Sequence, residues 1–510
     1  MLHVTLADTV ITVDGWTASL QSLGSYVKSI RKDPEELKAE RKRKGNFDNG
    51  YAGKICMYRT ERGNVIEYDG KSTAYFLPGL WPRVKRHLDK NEIEYDIKDL
   101  RDQSIRPEPD YSCLDGISLR EKQDVALALL ASSDCGIIDT PTAFGKSFLI
   151  SLLCQMYPTL NIVCTTGSTS VVHTLYEYLC KTCPGEVGLK CAGTDTTNGK
   201  RIVCTTLKSL PSINAERVHL LLVDECHALG DNDASRACME FKFARRFGFS
   251  ASPKRSDGTG LVMESVVGPV ILKMSYQEAV DAGSVTPMKY YMIPVHQGAD
   301  YKTDNDVVFK RSSYWRNYYR NNAIKNLVYE IKSVYDGQIL IMVNTLEHAI
   351  RLHMLLPWFK VVYYGATKSE MDGMRSKFSK REFPNLDLTK YRCTKKELEI
   401  ARCALAKGTL RYVISTKVLK QGVNLTHLAV LFRADGDVSE VDGIQIPGRL
   451  ARLDEGKEYA YLIDCMDTFN DRAMRRSKSR QKQYQDQKWT EITKEELLND
   501  LSRISKADSD

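Results

Sequence analysis

The residues best suited to chemistry form one run: Asp139, Thr140, Pro141, Thr142, Ala143, Phe144, Gly145, Lys146 and Ser147. Apolar Gly136, Ile137 and Ile138 precede it, and Phe148 to Leu153 read as the first turns of a helix. Strand, tight loop, Gly-Lys-Ser and helix make the context of a phosphate-binding loop. Backbone N–H groups and the positive helix end wrap phosphate oxygens there. Lys146 would reach the β- and γ-phosphates of ATP, and Ser147 would hold Mg2+. Thr140 stands where such loops usually open on glycine.

A second group follows the apolar run His219 to Val223. Asp224 and Glu225 sit at the C-terminal end of that strand, where a parallel sheet binds ligands. Asp224 can hold Mg2+ through water, and Glu225 can orient and deprotonate an attacking water. A strand ending in a polar turn is the plainer reading, but the order after Gly-Lys-Ser argues against it. Gly248 to Pro253 offers small hydroxyl residues that could sense the Mg2+–phosphate. Gln445, Arg449 and Arg452 fall in a Q-x-x-G-R-x-x-R pattern. Arginines three apart share one face of a helix, and from another lobe they could reach the γ-phosphate.

These groups need a scaffold, and the apolar periodicity supplies one. Strands are expected at 136–138, 161–165, 201–205, 219–223 and 246–250, then at 338–344, 360–364, 410–415, 429–433 and 458–463. With helices between them they make two α/β lobes of parallel sheet. The expected limits are 117–312 and 313–470, with a hydrophilic basic insertion at 366–408. Residues 1–105 read as a small α+β domain, with strands near His3 and Val10, a helix over 19–30, a hairpin over 53–68, a helix from Leu77 to about Lys90 and a last strand at 94–97. A linker at 106–116 follows it, and a basic polar tail closes the chain at 471–510.

Length alone suggests about three domains. Hydrophobic content of 42% and charged content of 27% are those of a soluble protein with full cores. No apolar run is long enough to span a bilayer and no secretory signal opens the chain, so no membrane partner and a cytoplasmic location are expected. The 14 cysteines then read as reduced thiols. Cys180 and Cys183, with Cys191 and Cys204, lack a second C-x-x-C to complete a metal set. Net charge is only +8, so the placement of charge matters more than its sum. Arg41, Lys42, Arg43 and Lys44, with Arg83, Lys85 and Arg86, could grip a phosphate backbone or form a solvated face. The same pair of readings holds for the insertion and for Arg472 to Lys482.

Together the motifs carry a resemblance. Leu119 to Gln123, the phosphate loop, Thr205 to Leu210, Asp224 to His227, Ser250 to Ser252, Ser415 to Asn424 and Gln445 to Arg452 come in the order of superfamily 2 helicase motifs, over about 117–466. The resemblance implies two RecA-like parallel-sheet lobes in tandem and an ATP-dependent motor that ratchets along one strand as its lobes close and open. It implies that Gln123 reads adenine, that Thr206 and Thr416 touch the tracked strand, and that Gly422 and Asn424 line the nucleotide cleft. Arg449 and Arg452 would contact the triphosphate. The N-terminal stretch Gly45 to Gly50, the hairpin and Leu77 to Leu80 resemble the UvsW-type helicases of bacteriophages. That implies a small α+β DNA-binding domain ahead of the motor. The implied job is RecG-like unwinding and branch migration of forked or four-way DNA in phage recombination, replication and repair, in the host cytoplasm. Branched or double-stranded DNA would be the partner, with single-stranded-DNA-binding or recombination proteins beside it. An RNA helicase, a translocase subunit of a restriction system, a nucleotide kinase and a non-enzymatic binding module are the rivals.

Overall fold

In this computed structural model the chain divides into two compact units, Met1–Met274 and Ser275–Asp510. The structure describes residues 2–8, 11–15, 66–68, 73–230, 233–251, 260–299, 303–363, 368–378, 383, 386–391, 393–416, 425–438, 443, 447–454 and 457–507.

The first unit opens with a small mixed sheet. It holds β1 (Leu2–Leu6), β2 (Ile11–Asp14), β3 (Ile66–Tyr68), β4 (Thr73–Phe76) and β5 (Tyr95–Asp99), in the order β3-β4-β2-β1-β5. Leu2, Val4 and Leu6 alternate inward along β1 and share a core with Val84 and Leu88 of the helix Trp81–Lys90. A period of two on the strand and of four on the helix thus make one apolar layer. The helix does not present its first arginine to a ligand. Arg83 forks onto the carboxylate of Glu264, with Nε donating at 2.7 Å. A Cβ on Gly79 would lie 2.5 Å from the backbone oxygens of Glu264 and Ser265, so the 3-10 turn Pro78–Leu80 that leads into this helix sits directly on the helix Gly260–Val267. Lys85 pairs with Asp89 one turn on, at 2.8 Å. Arg83 and Lys85, read as possible phosphate contacts, thus each have a carboxylate partner within the chain. Arg41 to Lys44, Gly45 to Gly50, the expected helix at 19–30 and most of the hairpin lie outside the described residues.

The expected linker is tied down. Arg106 reaches Asp8 at 2.9 Å and Asp134 at 2.6 Å, and Asp110 N donates to Met156 O at 2.8 Å. Beyond it lies the first large sheet: β6 (Cys135–Asp139), β7 (Ile162–Thr166), β8 (Val187–Cys191), β9 (Thr194–Asp195), β10 (Ile202–Thr206), β11 (Leu220–Asp224), β12 (Arg245–Ser250) and β13 (Val270–Lys273). Their order is β13-β6-β12-β11-β7-β10-β8-β9, and only β9 runs antiparallel. Runs such as Leu220 to Val223 are apolar on both faces because helices cover both sides of a parallel sheet.

The second unit holds β14 (Met288–Val295), β15 (Ile339–Met342), β16 (Lys360–Val362), β17 (Tyr412–Ser415), β18 (Val430–Arg433), β19 (Ala460–Asp467) and β20 (Thr490–Glu491). The order is β16-β17-β15-β18-β19-β14-β20, with every adjacent pair parallel. Three expectations change here. The second lobe starts near Ser275 rather than at 313, because β14 pairs with β19 over eight residues. Residues 471–507 are not a tail: helices Asp471–Asp486 and Lys494–Ala507 bury Tyr484, Leu497 and Leu501. Three of their arginines look inward, Arg480 to Asp464 at 2.7 Å and Arg472 and Arg476 to Asp306 at 2.9 and 2.7 Å, while Arg475, Lys478 and Lys482 are exposed. In the 366–408 interval the helix Lys395–Ala406 buries Leu398, Ala401 and Leu405. Its exposed face mixes Lys396 and Lys407 with Glu397 and Glu399, which is no cationic stripe.

Candidate nucleotide site

Three neighbouring strand ends build the site. β12 lies between β6 and β11, with Ser250 in register with Asp139 and Phe249 with Asp224. Parallel strands deliver their C-terminal ends to one edge of the sheet, the edge that binds ligands. β6 runs into the loop 140–145, and the helix Lys146–Met156 starts directly after it. Gly145 caps that helix at φ +101°, and a Cβ there would meet Gln123 Nε2 at 2.8 Å, so glycine is required twice over.

Lys146 Nζ donates to the carbonyls of Thr140 at 3.0 Å and Pro141 at 3.2 Å, which holds the ammonium over its own loop. Thr140 N donates to Ser250 O at 3.1 Å. Thr140 Oγ1 is buried with no hydrogen-bond partner. A cation, an orphaned hydroxyl and a helix N-terminus on one loop fit a bound triphosphate.

Asp224 ends β11 and is buried; its Oδ1 accepts from Glu225 N at 3.0 Å. Burial, reinforced by the Glu225 charge, pushes its carboxyl up to about 7 against the pull of Lys146. A cation beside it would restore the ionised form. Ser147 is exposed at the start of the helix. Two protein oxygens, completed by phosphate and water, are the donor set that Mg2+ takes. The Glu225 backbone is left-handed, at φ +54°. Its carboxylate lies 3.3 Å from His227 Nδ1, which lies 3.3 Å from Ser250 Oγ. His227 therefore links Glu225 to the strand that holds Thr140. The sequence reading gave His227 no role; its place two residues after Glu225 was the available signal. Cys226 does no chemistry here: it is buried against Gly248, where a Cβ would come within 2.8 Å of its Sγ.

Gln123 is buried beside the loop, with Nε2 donating to Phe144 O at 2.7 Å and Oε1 accepting from Arg120 N at 2.9 Å. It braces the loop as well as standing where adenine recognition was expected. Of the six described non-glycine residues at positive φ, Lys122, Ala143 and Glu225 all adjoin this site. Each costs about 1 kcal/mol or more, and such strain gathers where geometry matters for function.

Thr206 ends β10, its hydroxyl paired with Ser209 Oγ at 3.1 Å, and Thr416 directly follows β17. Both occupy C-terminal strand ends of their own sheets. Gly422, Asn424 and Gln445 lie outside the described residues.

Arg449 and Arg452 do not share a helix. Pro447–Arg449 is a single 3-10 turn, closed by Leu450 N on Pro447 O at 2.8 Å. The next carbonyls are taken elsewhere: Leu450 O by Lys457 Nζ at 2.6 Å, Ala451 O by Thr286 N at 2.7 Å, Arg452 O by Thr286 Oγ1 at 3.2 Å. A continuing helix would need those acceptors for its own ladder. Lys457 also holds the carbonyls of Thr426 and Leu428, and burial brings its ammonium down to about 8.

Of the cysteines once weighed as ligands, burial pushes the Cys183 thiol up to about 11 and the Cys204 thiol well above its usual range. Among the described residues, no group of three or more His, Cys, Asp or Glu could hold a metal ion, and no helix is long and apolar enough to cross a membrane.

No protein-family model matches the chain. It is 22% identical over 258 residues to "Putative helicase 22" of the Sulfolobus islandicus filamentous virus (isolate Iceland/Hveragerdi), covering 48% of this chain and 42% of that protein. It is 25% identical over 167 residues to "DNA 3'-5' translocase XPB2" of Sulfurisphaera tokodaii, covering 32% of this chain and 37% of that one. The chain thus spans about two fifths of the length of the curated relatives it matches. Among solved structures, S. cerevisiae Dbp5 bound to RNA and ADP BeF3 aligns at a TM-score of 0.54 and 14% identity, over 77% of this chain and 95% of that one. T4 UvsW aligns over 96% and 98% at 16% identity, with a TM-score of 0.39. The fold is α/β with two RecA-like parallel-sheet lobes, as in Dbp5, and the chain is similar in sequence to proteins named as a helicase and a DNA translocase.

Proposed function

We propose that this chain is an ATP-dependent DNA helicase or translocase that unwinds and branch-migrates forked or four-way DNA. The observation that carries the reading is the convergence of β6, β12 and β11, which sets Lys146, Ser147, Asp224 and Glu225 on one sheet edge. Lys146 and the loop N–H groups bind the β- and γ-phosphates. Ser147 and Asp224 hold Mg2+, which when bound neutralises phosphate charge. Glu225, oriented by His227, takes the proton of the attacking water. Arg449 and Arg452 carry positive charge to the triphosphate, and Gly422, Asn424 and Gln445 complete the nucleotide contacts. Thr206 and Thr416 touch the phosphates of the tracked strand. Phosphate contacts carry no sequence information, so selectivity is for DNA shape.

The relative named as a DNA translocase supports DNA over RNA as the polymer. Recombination, replication and repair in a phage-infected cell, with single-stranded-DNA-binding or recombination proteins nearby, are the setting that the UvsW resemblance suggests. Arg41 to Lys44 are candidates for the duplex contact. ATPase turnover measured with a fork, a four-way junction, plain duplex and structured RNA tests the reading. Stimulation greatest with branched DNA is expected. Stimulation by RNA alone would make this an RNA helicase, and no polymer-stimulated ATPase at all would remove the motor.

A further inference from the structure

The segment 434–438 connects β18 to the region of the arginine turn, and it belongs to no helix or strand. Its five successive carbonyls are taken one by one by side chains of the second unit. Arg320 Nη1 donates to Ala434 O at 2.8 Å, Asn344 Nδ2 to Asp435 O at 3.0 Å and Arg480 Nη1 to Gly436 O at 3.5 Å. Arg433 Nη2 donates to Asp437 O at 2.9 Å, and Gln483 Nε2 to Val438 O at 3.0 Å. Loops normally leave such groups to water, because a buried carbonyl without a donor is costly. Here the protein supplies every donor and so fixes the path of the chain.

Gln483 does this at two places. Besides holding the Val438 carbonyl, its Oε1 stands where a Cβ on Gly443 would have to go. One amide therefore touches both ends of the connection from 438 to 443. Gly443 stands four residues before the Pro447–Arg449 turn. Gln483 is itself seated by its helix. Arg480, three residues earlier, is fully buried on Asp464 at 2.7 Å, and Tyr484 places its hydroxyl on the same carboxylate at 2.7 Å.

We propose that Gln483, on the helix Asp471–Asp486, is a positioning residue for Arg449 and Arg452. Resting on the ATPase reading above, this makes the helix Asp471–Asp486 a support of the catalytic apparatus. Gln483 touches no substrate; it sets where the arginine turn begins. A close-packed interior passes a displacement on rather than absorbing it. A misplacement of about 1 Å in a group that meets the transition state can cost about 100-fold in rate.

A double-mutant cycle in the full chain tests this, read as kcat and KM for ATP, fluorescent-nucleotide affinity and melting temperature. Gly443→Ala drives a methyl against the Gln483 amide, and Gln483→Ala removes the amide. Each single variant is expected to lower kcat by about tenfold while KM and nucleotide affinity stay within about twofold. The double variant is expected to be no worse than the worse single, since deleting the amide makes room for the methyl. Gln483→Met, which keeps the volume, is expected to behave as Gln483→Ala does, so that loss of folding cannot stand in for the effect. A lowered melting temperature with unchanged kcat per folded molecule would overturn the proposal, as would effects of the two singles that simply multiply. A wild-type chain without ATPase would overturn both this inference and the functional reading. Active, unaffected variants would overturn this inference alone.

Discussion

The two parallel sheets end in opposite ways. At the C-terminal ends of β6, β12 and β11, polar groups are left facing a loop: Thr140 Oγ1 has no partner, and the Asp224 carboxyl is pushed up to about 7 by burial and Glu225. At the ends of β18 and β19 buried charges pair within the chain, although both Asp435 carboxylate oxygens lack a hydrogen-bond donor. Arg320, Arg433 and Arg480 face Asp435, Asp464 and Asp467, and all six side chains are fully buried. Burial raises the Asp464 carboxyl too, but Arg480 and Arg433 outweigh it and hold Asp464 below the usual carboxylate range. Asp467, on the same strand, is instead raised, because burial outweighs Arg320 and Arg480, so the sign follows the balance of burial and neighbouring charge. On the proposed reading, one sheet keeps its strand ends for a nucleotide, while the other uses many of its own to hold the chain.

The largest expected effect lies on the ligand-binding side. Lys146→Ala and Glu225→Gln should each lower ATP turnover by about 100-fold or more, since each removes a group that acts on the transition state. DNA affinity, followed by fluorescence anisotropy, should stay within about threefold, because phosphate contacts to DNA come from other residues. Normal turnover in both variants would dissolve the distinction between the two sheets.

Next comes the matched side. Arg480→Leu leaves Asp464 buried beside a missing cation and should cost about 3–5 kcal/mol of stability in urea unfolding. Replacing Arg480 and Asp464 together with leucine should cost clearly less than that. Equal losses would mean that packing, not charge pairing, organises the second sheet.

The pH dependence sharpens the contrast. Asp224 is raised in the folded state, so its contribution to stability is complete below the ordinary carboxylate value and is lost as pH rises through about 7. In Mg2+-free buffer the unfolding free energy should fall between pH 5 and pH 8, at up to about 1.4 kcal/mol per pH unit below pH 7. Asp224→Asn should flatten that slope.

The smallest effect concerns the contact of the small N-terminal sheet. The Arg83–Glu264 pair is partly exposed, with side chains 31% and 12% accessible, so Arg83→Ala should cost roughly 1 kcal/mol or less. The reversed pair, Arg83→Glu with Glu264→Arg, should recover part of the loss. Stability and branched-DNA affinity that ignore both variants would show that the contact does nothing.

Much of this was legible in the sequence because it follows from short-range rules. Both sets of central strands announce themselves as apolar runs, and Gly145-Lys146-Ser147 and Asp224-Glu225 name their own chemistry. What stayed hidden depends on partners distant in the chain. Met288 to Val295 shows no clean alternation, since Tyr290 and Tyr291 look alike in sequence, yet it pairs with β19 along its whole length. Arg472 to Lys482 reads as a solvated basic tail until Asp306 and Asp464 are placed beside it. Arg449 and Arg452 have helical spacing, but Thr286 and Lys457 take the carbonyls that a helix would use. Arg83 looks like a phosphate ligand until Glu264 meets it. In each case the local pattern was sound and a long-range charge or hydrogen bond outweighed it.

The most direct test is strand separation of a labelled four-way junction by the full chain, with wild type beside Glu225→Gln. The account predicts that wild type separates the strands only when ATP and Mg2+ are present, while Glu225→Gln binds the junction and leaves it intact. Separation without ATP, or undiminished separation by Glu225→Gln, would contradict it.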